Sequence, residues 1–195
     1  MTLLSETRRA VTSAPIHDLL ADRWSPRSFD PEHVVPEEHV AAMLEAARWA
    51  PSAANLQPRR FIVARRGGLA FDLITQDLAS GNQPWAPSAS LYVVAVAQST
   101  APGGKPYRWA EYDAGQAVAH LTTQAQALGL HVHQMGGFDA EAIRRDFELP
   151  EGATPITVSA IGRGADAELL PERYRDRETA DRERVPLAEL LLVDE

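Results

Sequence analysis

The chain has 195 residues, 45 % of them hydrophobic, enough to bury the core of one domain. Its 27 acidic and 19 basic residues leave a formal net charge of -8, which argues against a nucleic-acid-binding surface, because neutralising phosphates requires net positive patches. The absence of cysteine excludes disulfides, thiolate metal sites and cysteine nucleophiles together.

No apolar run approaches the roughly 20 residues that span a bilayer. No apolar segment follows Arg8 and Arg9, so no signal peptide is read and a cytoplasmic soluble protein is expected. Residues 1–195 read as a single domain, with 165–195 as an extended C-terminal segment.

Residues 1–14 read as a loose start or a first helical turn, and Pro15–Ala21 as a short helix with proline at the position where its missing N–H costs least. Arg23-Trp24-Ser25-Pro26-Arg27 follows as an extended stretch. An amphipathic helix is expected from Pro36 to Trp49, with Val40, Met43, Leu44 and Ala47 at helical spacing and Glu37 and Glu38 in its first turn. Pro51 ends it. Phe61–Ala64 reads as a strand and Leu69–Ala79 as a helix.

Ser90–Ala97 is almost wholly apolar and short, the pattern of a central strand buried on both faces. A long helix is expected from Trp109 to Leu128, closed by Gly129. Leu130–Gln134 reads as a strand, Asp139 as the N-cap of a helix reaching Phe147, and Pro155–Ile161 as a further strand. Residues 163–184 are polar and rich in Arg and Glu, and read as an extended surface segment, followed by the apolar run Leu187–Val193. The spacing is not that of a doubly wound sheet, and no Gly-x-Gly-x-x-Gly follows a strand, so a mixed-sheet α+β domain fits better than a Rossmann fold.

In an extended stretch alternate residues share a face, so Arg23, Ser25 and Arg27 can converge on one ligand. Pro26 keeps Ser25 out of the helical region. Two guanidinium forks and a hydroxyl suit a phosphate, which takes bidentate charge-assisted hydrogen bonds. The plain alternative is that both arginines pair with acids on the surface.

The second stretch is Pro51-Ser52-Ala53-Ala54-Asn55-Leu56-Gln57-Pro58. Small residues there let backbone approach a flat ring, and Asn55 offers both a donor and an acceptor. A helix end followed by a turn accounts for Pro51 and Ser52 but not for the Asn55-x-Gln57-Pro58 pattern.

Taken together, Arg-x-Ser-x-Arg followed by Pro-Ser-x-x-Asn-x-Gln-Pro resembles the FMN-dependent nitroreductase family, and more thinly so toward the C-terminus. The resemblance implies an α+β fold with a mixed, mainly antiparallel central sheet flanked by helices. It implies a homodimer with FMN at the interface, NADH or NADPH as electron donor, and a small aromatic acceptor such as a nitroaromatic or quinone. Arg23, Trp24, Ser25 and Arg27 would meet the flavin, with Arg27 also near the N1/O2 edge of the ring. Pro51, Ser52, Ala53 and Asn55 would line the ring, the Pro-Ser stretch often coming from the other subunit.

Asn82 matches a family asparagine at the pyrimidine edge, although Gly-Asn is also ordinary turn chemistry. Gly136 and Gly137 stand where members carry Gly-Phe-Asp after a flavin-bonding residue; with glycine in that place, only backbone donors remain. Arg182 and Arg184 correspond to a basic pair that returns to the phosphate, and they equally fit a solvated charged tail. Arg59 stands where members often carry Trp, a departure that bears on any aromatic contact from there.

The flavin would carry the chemistry, so no catalytic side chain is assigned. Relatives that dehalogenate or fragment flavin, and a flavin-binding protein with little turnover, remain open readings. His120, His131 and His133 lack a convincing carboxylate partner for a metal, and no Gly-x-Ser-x-Gly elbow is present. Among Trp24, Trp85, Tyr107, Trp109 and Tyr112, some could form a substrate wall and most would pack the core.

Overall fold

The computed structural model describes residues 8–100 and 103–193. Helix α1 spans Asp18–Asp22 and starts later than the proline suggests, because the His17 ring caps it by accepting the Leu19 N–H. Helix α2 spans Glu37–Arg48, with acids in its first turn and Arg48 in its last, as the macrodipole favours. Strand β1 (Arg59–Arg65), α3 (Leu69–Asp77), β2 (Leu91–Gln98), α4 (Ala110–Ala127), β3 (His131–Met135), α5 (Ala140–Asp146) and β4 (Ala153–Gly162) follow. Gly129 takes the left-handed turn that ends α4, with φ 74°. Asp139 caps α5, its side chain accepting from Ala142 N at 3.0 Å.

The strands form one antiparallel sheet in the order β1-β2-β4-β3. Strand β2 is central and buried on both faces, from Leu91 through Ala97. Its alternation divides the core. Leu91 and Val93 face α2 and α4, packing with Val40, Met43, Ala47 and Leu121. Tyr92, Val94 and Val96 face α3 and α5, packing with Phe71, Ile74 and Ile143. Phe71 stacks on Tyr92 with ring centroids 4.0 Å apart. The β2–β4 register shifts where Val96 meets Pro155, a residue with no N–H to give the ladder.

The segment 163–184 departs from the expected extended surface chain. It holds a 3-10 turn at Ala167–Leu169 and a helix, α6, at Glu172–Thr179. Tyr174 and Glu178, one helical turn apart, are buried against the body of the domain. The mostly charged composition of the segment hid that stripe. The apolar run beyond it forms a 3-10 turn at Leu187–Leu190 and stays exposed, Leu190 by 64 % and Leu192 by 98 %.

The edge strand β3 positions the first sequence motif. Its His131 and His133 lie under the stretch Arg23–Ser28, and chain leaving β4 runs beside the same stretch, Phe29 bridging to Gly164.

Candidate functional site

The Arg23–Ser28 stretch alternates as its extended backbone requires. Trp24, Pro26 and Ser28 are buried, whereas Ser25 is exposed and Arg23 and Arg27 are half-buried. The inward residues meet the edge strand. Trp24 packs edge-on against His131, with centroids 6.1 Å apart, and the His133 ring shares a hydrogen bond with the Pro26 carbonyl at 2.8 Å. On the outward side Arg23 donates to the Ser25 hydroxyl at 3.3 Å. Trp24 was expected to meet the ligand, but its ring is turned into the core, so it supports the stretch from below.

The backbone of this stretch is held at three points. Arg182 donates to the Arg23 carbonyl at 2.8 Å, and also to the carbonyls of Arg8 and Ala21 at 2.6 and 2.8 Å. His133 meets Pro26. The buried Glu178 carboxylate accepts the N–H groups of Arg27 and Ser28 at 2.9 and 3.0 Å. Arg182 is therefore not a solvated tail residue: it ties the C-terminal segment to the motif through main-chain carbonyls. Burial, followed by the neighbouring Arg23, Arg184 and Arg8 charges, pushes its pKa down.

These contacts gather cations. Burial and then Arg184 push the pKa of Arg23 down as well. Among the described residues, neither Arg23, Arg27 nor Arg184 takes part in an ion pair. Like charges held together without carboxylates are a ready site for an anion. Arg27 points elsewhere, its guanidinium 5.9 Å from the centre of the Trp85 ring. Arg23 and Ser25 thus face outward together, with the Arg184 charge acting on Arg23, and Arg27 stands apart from them.

The second motif follows α2 as an exposed loop. Ser52 accepts the Gln57 N–H at 3.1 Å, closing it. Ala54, Asn55 and Gln57 all take left-handed backbone, with φ of 50°, 55° and 49°. Side-chain-bearing residues avoid that region, and a surrounding structure must enforce it. Pro51, Ala53, Ala54 and Asn55 remain exposed.

Asn82 and Gly137 are brought together from distant segments. The Asn82 amide donates to the Gly137 carbonyl at 3.0 Å, which leaves its carbonyl oxygen and its second N–H for a ligand. A Cβ on Gly137 would lie 3.1 Å from that amide nitrogen and 3.2 Å from the Ala79 Cβ, so the close approach favours glycine. Above Gly136 there is open space.

A family model described as the nitroreductase family matches residues 20–79 and 68–163, spanning both motifs and the sheet. The chain belongs to the nitroreductase family. A 15.4 kDa protein of Mycolicibacterium smegmatis, itself uncharacterised, is 34 % identical over 139 residues, covering 67 % of this chain and 92 % of the relative. A Streptomyces griseus relative provisionally named NADH dehydrogenase/NAD(P)H nitroreductase is 26 % identical, covering 72 % of this chain and 81 % of its own. A crystal structure described as an oxidoreductase containing FMN superposes with a TM-score of 0.88 at 37 % identity, over 93 % of each chain.

On this nitroreductase scaffold, two residues have supporting roles that the sequence did not reveal. Glu178 sits in a run of charges where nothing marks it as buried. Arg59, in place of the frequent tryptophan, is buried and donates to the Arg48 and Ala50 carbonyls, capping the end of α2. Of the histidines noted for a possible metal, His120 is exposed, whereas His131 and His133 are packing groups: both His131 nitrogens are buried without partners, and burial pushes the pKa of His131 and of His133 to about 4. No cluster of potential metal ligands occurs among the described residues.

Proposed function

We propose that this nitroreductase-family chain is an FMN-dependent NAD(P)H oxidoreductase that reduces flat, electron-poor acceptors such as nitroaromatics or quinones. The observation that carries the reading is the outward pairing of Arg23 with the Ser25 hydroxyl, under the charge of Arg184, with neither arginine in an ion pair among the described residues. A phosphomonoester dianion is the ligand chemistry such a group suits. The FMN content of the 37 % identical neighbour and the NAD(P)H in the relative's name point the same way.

Bound there, the flavin would take a hydride from the nicotinamide and pass reducing equivalents to the acceptor, in turn on one ring face. The chain's own residues bind and orient. Arg23, Ser25 and Arg184 would hold the phosphate. Arg27, set apart from them, would supply positive charge at the ring edge where negative charge collects on reduction. Asn55, the Asn82 carbonyl oxygen and backbone around Gly136 would meet polar ring atoms, and Pro51, Ser52 and Ala53 would present small residues to its surface. Trp109 and Tyr112, exposed and edge-to-face with centroids 6.2 Å apart, would offer a flat apolar wall to an aromatic acceptor.

The exposed Pro51–Asn55 loop and the exposed run Leu187–Val193 belong, in this reading, to a homodimer interface with the cofactor between subunits. No helix among the described residues is long and apolar enough to cross a membrane.

Steady-state kinetics test the scheme. Varying NADH or NADPH at several acceptor concentrations should give parallel double-reciprocal lines, because the donor leaves before the acceptor enters. Intersecting lines would mean that both occupy the site together and would overturn the sequential use of one face.

A further inference from the structure

The strained Pro51–Gln57 loop needs something to enforce its shape, and three side chains beneath it do so. Asp113, in the first turn of α4, is only 1 % exposed. Its Oδ2 accepts the Ala53 N–H at 3.0 Å and the Tyr107 hydroxyl, and its Oδ1 lies 3.4 Å from the Gln116 amide. The Tyr107 hydroxyl gives its single proton to Asp113 and lies 3.2 Å from the Ala53 carbonyl, which accepts the Leu56 N–H at 3.1 Å. Arg59 holds the other end of the loop through the Ala50 carbonyl at 3.0 Å, and the Asp113 charge acts favourably on its guanidinium.

An acid in a first helical turn ordinarily stabilises the helix from the solvent. Asp113 instead is buried, and one of its partners, the Ala53 N–H, lies in a loop 60 residues away in sequence. A buried carboxylate is stabilised only by a full set of donors, so the loop is bound tightly to it. The Ala53 anchor immediately precedes Ala54 and Asn55, the first two left-handed residues.

We infer that Asp113, with Tyr107 and Arg59, is the positioning group that fixes the Pro51–Asn55 loop in the shape that meets the flavin. The inference rests on the reading of that loop as a flavin-facing element. Asp113 touches neither cofactor nor substrate in it, and acts through the Ala53 backbone.

The test compares wild type with Asp113→Ala, Asp113→Asn and Tyr107→Phe. The readouts are the FMN dissociation constant, the visible spectrum of bound flavin, and hydrogen exchange of peptide 50–58 in flavin-free protein. Asp113→Ala should weaken FMN binding tenfold or more, shift the flavin spectrum and speed exchange of the peptide. Asp113→Asn keeps one oxygen for the Ala53 N–H and should recover most of the affinity. Tyr107→Phe should weaken FMN at least threefold with the fold intact.

If Asp113→Ala does not fold, Tyr107→Phe decides alone. A group that served only stability would lower the melting temperature and leave FMN affinity, spectrum and peptide exchange at wild-type values in folded variants, and that result overturns the inference. Wild-type protein that binds no FMN overturns the underlying reading of the loop, and the inference with it.

Discussion

Both oxygens of Glu178 lie 2.9 Å from the backbone nitrogen of Arg27, joining the last helix to the first motif across 151 residues of sequence. The same carboxylate takes the Ser28 N–H, and Glu178 is only 3 % exposed. Replacing it with Ala leaves two buried N–H groups unsatisfied, which costs on the order of 1–3 kcal/mol each. Glu178→Ala should therefore lower the urea midpoint and weaken FMN retention together. Glu178→Gln, which retains an acceptor, should recover part of both. Unchanged denaturation by Glu178→Ala would show that the contact carries no stability.

Arg23 is the outward cation nearest Ser25. Its removal should cost the charge-assisted hydrogen bonds to a phosphate, about 1.5–3 kcal/mol each, or roughly tenfold to a hundredfold in Kd. Arg23→Ala should thus release FMN while keeping its far-UV circular dichroism. The salt dependence of FMN binding should shrink in the variant, since one charge fewer is screened. Arg182→Ala should differ: losing its three carbonyl contacts, it should lower the melting temperature as well as FMN affinity.

The buried histidines set a pH dependence of stability. Burial holds His131 and His133 neutral down to about pH 4, whereas in the unfolded chain each protonates near pH 6.5. The unfolded state then binds more protons below pH 6.5, so stability is fully present above that pH and is lost as pH falls toward 4. The full loss is on the order of 3 kcal/mol per ring. Urea midpoints at pH 7.5 and 5.5 should show the decline, and His131→Leu should reduce the slope without lowering stability at pH 7.5, because neither His131 nitrogen has a partner to lose. A midpoint independent of pH over this range would contradict the assignment.

The exposed run beyond Pro186 should mediate dimer formation. Deleting residues 186–195 leaves Arg182 and Arg184 in place and removes Leu187, Leu190, Leu191 and Leu192, which lie exposed on the single chain. Light scattering should give a dimer mass for the intact protein and a larger monomer fraction for the deletion. Identical dimer masses for both would place the interface elsewhere.

Apart from α6, the helices and strands were legible in the sequence because their apolar spacing is regular: β2 is apolar from Leu91 to Ala97, and α2 keeps Val40, Met43 and Ala47 on one side. The alternation of Arg23, Ser25 and Arg27 was legible too, since Pro26 forces an extended backbone. Glu178 and Asp113 were not. Each acts through long-range contacts to main-chain N–H groups, and no local pattern separates such an acid from a surface one. Arg182 escaped its role for the same reason, since carbonyl partners leave no signature in sequence. Trp24 was assigned to the ligand by motif, whereas the alternation of its own stretch places it inward.

The most direct measurement is the visible absorption spectrum of the purified protein supplied with FMN, recorded without oxygen before and after addition of NADH or NADPH. The expected result is a bound oxidised-flavin band that is absent or reduced in Arg23→Ala and that bleaches in wild type on adding the nicotinamide. A protein that takes up no FMN, or a bound flavin inert to both nicotinamides, would contradict the oxidoreductase reading.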